Sequence, residues 1–494
     1  MNTHHDIVIV GAGFSGIGTA IKLREAGFDD ILLIDDADGP GGVWHWNTYP
    51  GVAVDIPSFS YQFSFEQASN WTRTYAPGRE LKHYAERCVA KYDLARHIQY
   101  STRVTRAEFD EPSDRWAIET SRGDLSARWM IHAGGPLSQP SRPAIDGIDD
   151  FAGQIMHTSR WDHDIDLAGQ RVGIIGTGAS AVQVIPEIAP EVAHLTVFQR
   201  TPIWCLPKPD LALPRAARAA LSAVPGAKSA ARLVSQAFVE FTFPGIAHYY
   251  ARIPGVGQVE KAARAWLASQ VRDPETRAKL TPDYTLGCKR PSFHNGYLKT
   301  FNRENVTLET DSIARVTADG IRTEAGNEHT LDVLILATGF KVTDKDAMPS
   351  YPVAGRGGAD LGDHWDTYRH HAYQGVSTAG FPNYFTTFGP YGYNGASFFT
   401  LIEASAAHIV RVLEAARERE ASRVEVTEAA QEAFIADMHA RGHRQVFRQG
   451  ACANANSYYF TRHGDVPFRA ATTPEIQWKS RHFPLDDYAF MKAG

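Results

Sequence analysis

Two stretches of this 494-residue chain follow one pattern, an apolar strand, a glycine turn and a helix, and no other feature restricts the backbone as tightly. In the first, DIVIV from Asp6 to Val10 runs into GAGFSG, which sets Gly11, Gly13 and Gly16 in GxGxxG spacing. IGTAIKLREAG then keeps helical periodicity up to Gly27, and a second strand, ILLID, ends at Asp35. The first glycine permits the tight turn, the second lets a pyrophosphate approach the backbone, and the third lets helix pack on strand, with the helix N-terminus facing the phosphates. Asp35 is placed to accept hydrogen bonds from ribose hydroxyls.

The second stretch, RVGIIGTGASAVQVIPEIA, has a strand from Val172 to Ile175 and then Gly176, Gly178 and Ala181 as GxGxxA. Two such turns predict two dinucleotides and an α/β chain of two Rossmann-like domains. Here the following strand, HLTVFQR, ends in Arg200, with Thr201 next. A carboxylate at this place would repel a 2'-phosphate, whereas arginine binds one with a two-pronged, charge-assisted contact. The second site is therefore expected to prefer NADPH.

A third apolar strand, LDVLILATG from Leu331 to Gly339, is too hydrophobic for an edge, and its form suits a return of the chain to the first domain. NYFTTFGPYGYNG follows and leads into a long helix expected to begin near Ala396, its positive end beside whatever the first domain binds. Between Pro209 and about Leu286 the chain is alanine-rich and helical, broken at Pro225, Pro244 and Pro254, and reads as a helical insertion in the second domain. Its aromatic residues, Phe238, Phe241, Phe243, Tyr249 and Tyr250, are expected in a core.

The net charge of -6 gives no basic footprint, so nucleic acid is not an expected partner. No apolar run is long enough to span a bilayer, and the N-terminus shows no leader; a cytoplasmic protein without a membrane partner is the expectation. Cys88, Cys205, Cys288 and Cys452 lie far apart and form no CxxC pair, which predicts reduced thiols, excludes a zinc ribbon and leaves no metal site.

Between the two turns lies FAGQIMHTSRWD, in which Phe151, Gly153, His157, Trp161 and Asp162 fit FxGxxxHxxxW followed by proline or aspartate. This resembles the fingerprint of the type I Baeyer-Villiger monooxygenases. GGVWHWNTYPGVAVD from Gly41 to Asp55 resembles that family's GGxWxxxxYPGxxxD, and GCKRPSFHNGYLKTFNRENV carries its lysine-arginine pair as Lys289 and Arg290. The resemblance implies FAD in the first domain, touching Ser15, Asp35, the Gly42–Val43–Trp44 turn, Asp55, Tyr61 and Val104. It implies NADP on Thr177, Gly178, Ala179, Ser180, Ala181 and Gln183, with Arg200, Thr201 and Lys289 around the 2'-phosphate.

Arg290 matches the family's active-site arginine and Asp55 the carboxylate that positions it; His157 and Trp161 act indirectly, in a linker between the domains. The implied reaction converts a ketone to an ester or lactone with O2 through a C4a-peroxyflavin, with thioethers oxidised as well. The implied domains are residues 1–148 for FAD, 149–165 for the fingerprint linker, 166–208 and 287–330 for NADPH around the insertion at 209–286, and 331–494 for the return to the FAD domain and the C-terminal region. Two departures bear on substrate: Lys341 stands where the family has aspartate, and Tyr458, after Ser457, replaces a tryptophan bordering the pocket.

Three rivals differ in chemistry. A heteroatom oxygenase would make sulfoxides or N-oxides. A pyridine-nucleotide disulfide reductase needs a close cysteine pair, which the sequence lacks. An NADPH-flavin oxidoreductase without oxygenase activity, or a nucleotide-binding module, would bind nucleotide without oxygenating a substrate.

Overall fold

The computed structural model describes residues 3–250, 255–342, 344–345 and 347–492. Pro254, expected as a helix break, lies outside these residues, and so does the side chain of Tyr249.

His4–Val10 runs through the middle of the first sheet, parallel to Ile31–Ile34 on one side and Leu125–His132 on the other. Its apolar run is unbroken because both faces are covered. Ile7 and Ile9 pack with Ile17 and Phe399, whereas Val8 faces Ile34, Trp116 and Tyr384. The antiparallel strands Val104–Asp110 and Arg115–Thr120 extend this sheet beyond Leu125–His132. Tyr384–Thr386 joins it in parallel to Leu125–His132.

The second sheet is wholly parallel, in the order Val306–Glu309, His194–Phe198, Arg171–Ile175, Val333–Leu336, Gln154–His157. This arrangement corrects two expectations. Val333–Leu336 pairs between Arg171–Ile175 and Gln154–His157 and so belongs to the second sheet, not to a return to the first. Four buried apolar residues with a glycine three positions on satisfy any central parallel strand, and such a pattern carries no information about its partner. The chain re-enters the first sheet only at Val353–Ala354 and Tyr384–Thr386. The fingerprint segment is likewise more than a linker, because its Gln154–His157 forms the edge strand of the second sheet.

The insertion is helical as expected, with helices Arg215–Ala223, Ala227–Phe241, Phe243–Tyr249, Val256–Gln270 and Pro274–Leu280. Its aromatic residues do not share one core, however. Phe243 is buried, while Phe238 and Phe241 face outward. The long helix Phe398–Glu418 begins two residues after Ala396 and packs on Phe14–Glu25 and Thr473–His482. Among the described residues no helix is long and apolar enough to cross a membrane.

Candidate active site between the two sheets

The first glycine turn is closed by contacts that no side chain could survive. Gly11 has φ +115°, and a Cβ on Gly16 would sit 1.8 Å from the Gly11 carbonyl oxygen. Asp35 accepts from the backbone N–H groups of Ala12 at 2.5 Å and Ala37 at 2.9 Å, and burial raises its carboxyl to about 6. Gly13 faces Gly42, whose φ of +57° opens the short helix Val43–Trp46. In the second turn Gly176 has φ +113° against the Ala337 carbonyl, but a Cβ on Gly178 would meet nothing within 4 Å. That gap lies where a pyrophosphate has to approach the backbone.

A cavity of ≈ 1490 Å³ runs between the two sheets. From the first domain it is lined by Val43, Trp44, Asp55 and Tyr61. The second domain supplies Thr177 to Ser180, Gln183, Arg200 and Thr201, and Lys289, Arg290 and Tyr458 complete the wall. Gly11, Gly13, Ser15, Gly16, Asp35, Gly42 and Ala181 do not line this cavity; Ser15 and Gly16 lie in the first turn of the helix Phe14–Glu25 and Ala181 in that of Ala179–Ile188. Val104 packs its side chain into the core with Val8 and Ile34 and does not line the cavity.

At the centre, Arg290 Nε donates to Asp55 Oδ2 at 2.7 Å, and its Nη1 donates to the Tyr393 hydroxyl at 3.0 Å. The Phe243 ring lies 5.5 Å from the guanidinium carbon. Burial alone would raise the Asp55 carboxyl, but the Arg290 charge and hydrogen bond outweigh it and hold the carboxyl below its ordinary value. Burial likewise opposes the Arg290 charge, and Asp55 more than compensates. Tyr393 and Phe243 were not singled out as site residues from sequence. The aromatic cluster GPYGYNG was the available signal for Tyr393, and Phe243 was marked only as one of the insertion's aromatic residues, expected in a core rather than in a pocket.

Beside this pair, Lys289 and Arg200 form no salt bridge among the described residues. Burial first, and then the Arg200 charge, lower the Lys289 ammonium to about 8. Two cations held close together with no carboxylate between them form a site for a polyanion. The glycine turns, the open space at Gly178 and these cations fit FAD and a phosphorylated nicotinamide dinucleotide.

Several contacts tie the two domains together. Tyr49 donates to Gln183 Oε1 at 3.0 Å, and Gln183 Nε2 donates to the Ala53 carbonyl at 2.8 Å. In the fingerprint segment, the Arg160 guanidinium lies 3.8 Å over the Trp46 ring and His163 meets Thr48 at 2.9 Å. Gly153 is required because a Cβ would come within 2.3 Å of the Asp332 carbonyl oxygen. Phe151 is buried beside Ile148 and Leu334, and Trp161 packs on the second core. His157 bonds Ser159 at 2.8 Å, and Asp162 accepts from the Asp164 backbone. The segment is thus seated in the second sheet while it grips the Trp46–Thr48 loop of the first domain.

Of the two departures, Lys341 is exposed and off the cavity wall, and its backbone N–H donates to the Gln139 carbonyl at 3.0 Å. Tyr458 lies on the wall, 41 % exposed.

Cys288 and Cys452 form a disulfide with Cα atoms 5.2 Å apart, and Cys88 and Cys205 are free and buried. This corrects the expectation of four reduced thiols. The bond closes a separation of 164 residues, which spacing along the chain does not reveal. It ties the Lys289–Arg290 segment to the one carrying Asn456, whose side chain donates to Thr201 Oγ1 at 2.7 Å. Cys452→Ser is expected to lower stability by about 2–4 kcal/mol, measured by urea unfolding without reductant.

A family model described as pyridine nucleotide-disulphide oxidoreductase matches residues 8–216. A Baeyer-Villiger monooxygenase of Pseudomonas aeruginosa is 38% identical over 457 residues, spanning 91% of this chain and 84% of its own. A closed crystal structure of cyclohexanone monooxygenase aligns with a TM-score of 0.89 at 30% identity and covers 100% of both chains. OTEMO in complex with FAD and NADP aligns with a TM-score of 0.87 at 27% identity, over 99% of this chain and 100% of its own.

Proposed function

This chain belongs to the Baeyer-Villiger monooxygenase family, and on that premise we propose that Arg290, held by Asp55, is the charge-stabilising residue of an FAD- and NADPH-dependent conversion of ketones to esters or lactones. The balance is ketone, O2, NADPH and one proton giving ester, water and NADP⁺. FAD held by the first domain and reduced by NADPH would supply the electrons that activate dioxygen.

The chain's own residues supply geometry and charge. The observation that carries this reading is the Asp55–Arg290–Tyr393 arrangement on the cavity wall. A guanidinium keeps its charge at any working pH, so Arg290 can face oxygen atoms as they become negative without itself losing a proton. Asp55 fixes the plane of that guanidinium through Nε, and Tyr393 fixes its far end. Trp44 donates to the Tyr61 hydroxyl at 3.2 Å and, with Tyr61, walls off the flavin side of the cavity. Gln183 and the Arg160–Trp46 contact keep the two domains in register around it.

The test is turnover of a cyclic ketone and a thioether by the purified protein with NADPH and isotopically labelled dioxygen. One labelled oxygen atom in the ester is the expected result, with sulfoxide as a second product. Sulfoxide without ester would make the protein a heteroatom oxygenase, and NADPH oxidation with neither product would reduce it to an oxidase.

Lys289 and Arg200 are proposed to hold the 2'-phosphate of NADPH. With its ammonium lowered to about 8 in the nucleotide-free protein, Lys289 is charged below that pH and neutral above it. The kcat/KM for NADPH, which reports the free enzyme, is therefore expected to fall as pH rises through 8, while that for NADH stays flat. Lys289→Ala should lower kcat/KM for NADPH about tenfold or more and abolish this pH dependence.

A further inference from the structure

The helix Ala227–Phe241 has its polarity inside out. Apart from Val239, which is buried in the core, its side chains directed at the protein are mostly polar: Arg232 donates to the Gln62 carbonyl at 2.6 Å, Ser235 to Ser60 Oγ at 2.9 Å, Gln236 accepts from Thr400 at 3.3 Å, and Glu240 accepts from the Thr473 N–H at 3.0 Å. Its exposed positions are Ser229, Ala230, Leu233, Val234, Ala237, Phe238 and Phe241, and all but Ser229 are apolar, one continuous stripe at helical spacing. Leu233, Val234 and Phe241 are 71%, 72% and 82% exposed. A helix resting on a protein in water shows the opposite pattern. The preceding helix, Arg215–Ala223, extends the stripe with exposed Ala216, Ala219, Ala220 and Ala223, and Val224 follows it.

Charge identifies what covers this face. From Leu211 to Val239 the chain carries Arg215, Arg218, Lys228 and Arg232 and no aspartate or glutamate, within a protein of net charge -6. Arg232 turns inward, towards Gln62 and Glu403, and Lys228 donates to the Gln67 carbonyl at 3.5 Å, which leaves Arg215 and Arg218 beside the stripe. Close by, Gln477 and Arg481 share a shallow groove with Ser229 and Leu233, and their neighbour Trp478 is 61% exposed. Apolar side chains with basic ones at their border and an exposed tryptophan form the surface that lies in a bilayer interface. A second copy docked about a two-fold axis would bring the same cations against themselves, whereas anionic headgroups neutralise them.

We propose that the helix pair Arg215–Ala223 and Ala227–Phe241 docks this protein on an anionic lipid surface without spanning it. The docked helix ends two residues before Phe243, which packs against Arg290, so the lipid surface and the cavity are joined by one short stretch of chain. The sequence-based expectation of no membrane partner rested on the lack of a spanning run and did not address a surface helix.

The test is flotation of the purified holoprotein with vesicles of phosphatidylcholine alone and of phosphatidylcholine with about one third phosphatidylglycerol. Binding to the anionic vesicles, weakened by salt, is the expected result. Leu233→Ser and Phe241→Ser should each weaken it about tenfold or more, with melting temperature and turnover of a water-soluble ketone unchanged, and Arg215→Gln about fivefold. Three results overturn the proposal: no flotation with either vesicle, equal flotation with both, or a vesicle-independent dimer in sedimentation that the same serine variants dissociate.

Discussion

Replacing Arg290 by alanine is expected to lower the rate of ketone oxygenation about 10²–10³-fold, equivalent to about 3–4 kcal/mol, with flavin still bound. The guanidinium holds two directions at once, Nε to Asp55 at 2.7 Å and Nη1 to Tyr393 at 3.0 Å, and it lines the cavity between the two sheets. Lysine offers a charge but not that planar fork, so Arg290→Lys should recover only a small part of the loss. Truncation also strips Asp55 of the partner that does most to keep its carboxyl low, leaving burial opposed by the Lys208 charge and a backbone hydrogen bond. Product formation by chromatography, alongside the flavin-to-protein ratio of each preparation, checks both statements. Wild-type ester formation in a flavin-replete Arg290→Ala protein would remove Arg290 from the chemistry.

Gly16→Ala is expected to give protein that does not retain FAD, with affinity reduced at least about a hundredfold, equivalent to about 3 kcal/mol. The added Cβ would lie 1.8 Å from the Gly11 carbonyl oxygen, and both atoms belong to backbone that the sheet and the helix Phe14–Glu25 hold in place. Relief requires the helix to lift from the turn, which carries its N-terminus away from the phosphates. Gly178→Ala is the contrast, because its Cβ enters open space at φ -74°. That protein should fold, stay yellow and lose affinity only for NADPH. Fluorescence titration of flavin into each deflavinated protein measures the difference.

What the sequence made legible was local. GxGxxG and GxGxxA fix short-range backbone geometry, so the two turns and their helices could be read directly. Asp55 and Arg290, 235 residues apart, came together in the reading only through a family resemblance, since no periodicity joins them. Where long-range pairing decides, pattern alone failed. Val333–Leu336 reads the same in either sheet, and Cys288 gives no sign of Cys452. The stripe on Ala227–Phe241 is a subtler case. Helical spacing predicts one apolar face, but only the polar bonds of Arg232, Ser235, Gln236 and Glu240 to the body show that this face points out.

The interleaving of the two sheets also sets an order of assembly. The second sheet is complete between Gln154 and Leu336, so it can form while the ribosome is still extending the chain. The first sheet cannot, because Leu125–His132 waits for Tyr384–Thr386, and Ile7, Ile9 and Ile17 wait for Phe399 and Ile402. Until then the nascent N-terminal third carries a bare apolar surface and an unfinished flavin site beside a finished nucleotide domain. Flavin capture is thus a late event of biosynthesis, and the interval before it is when the chain most needs a chaperone.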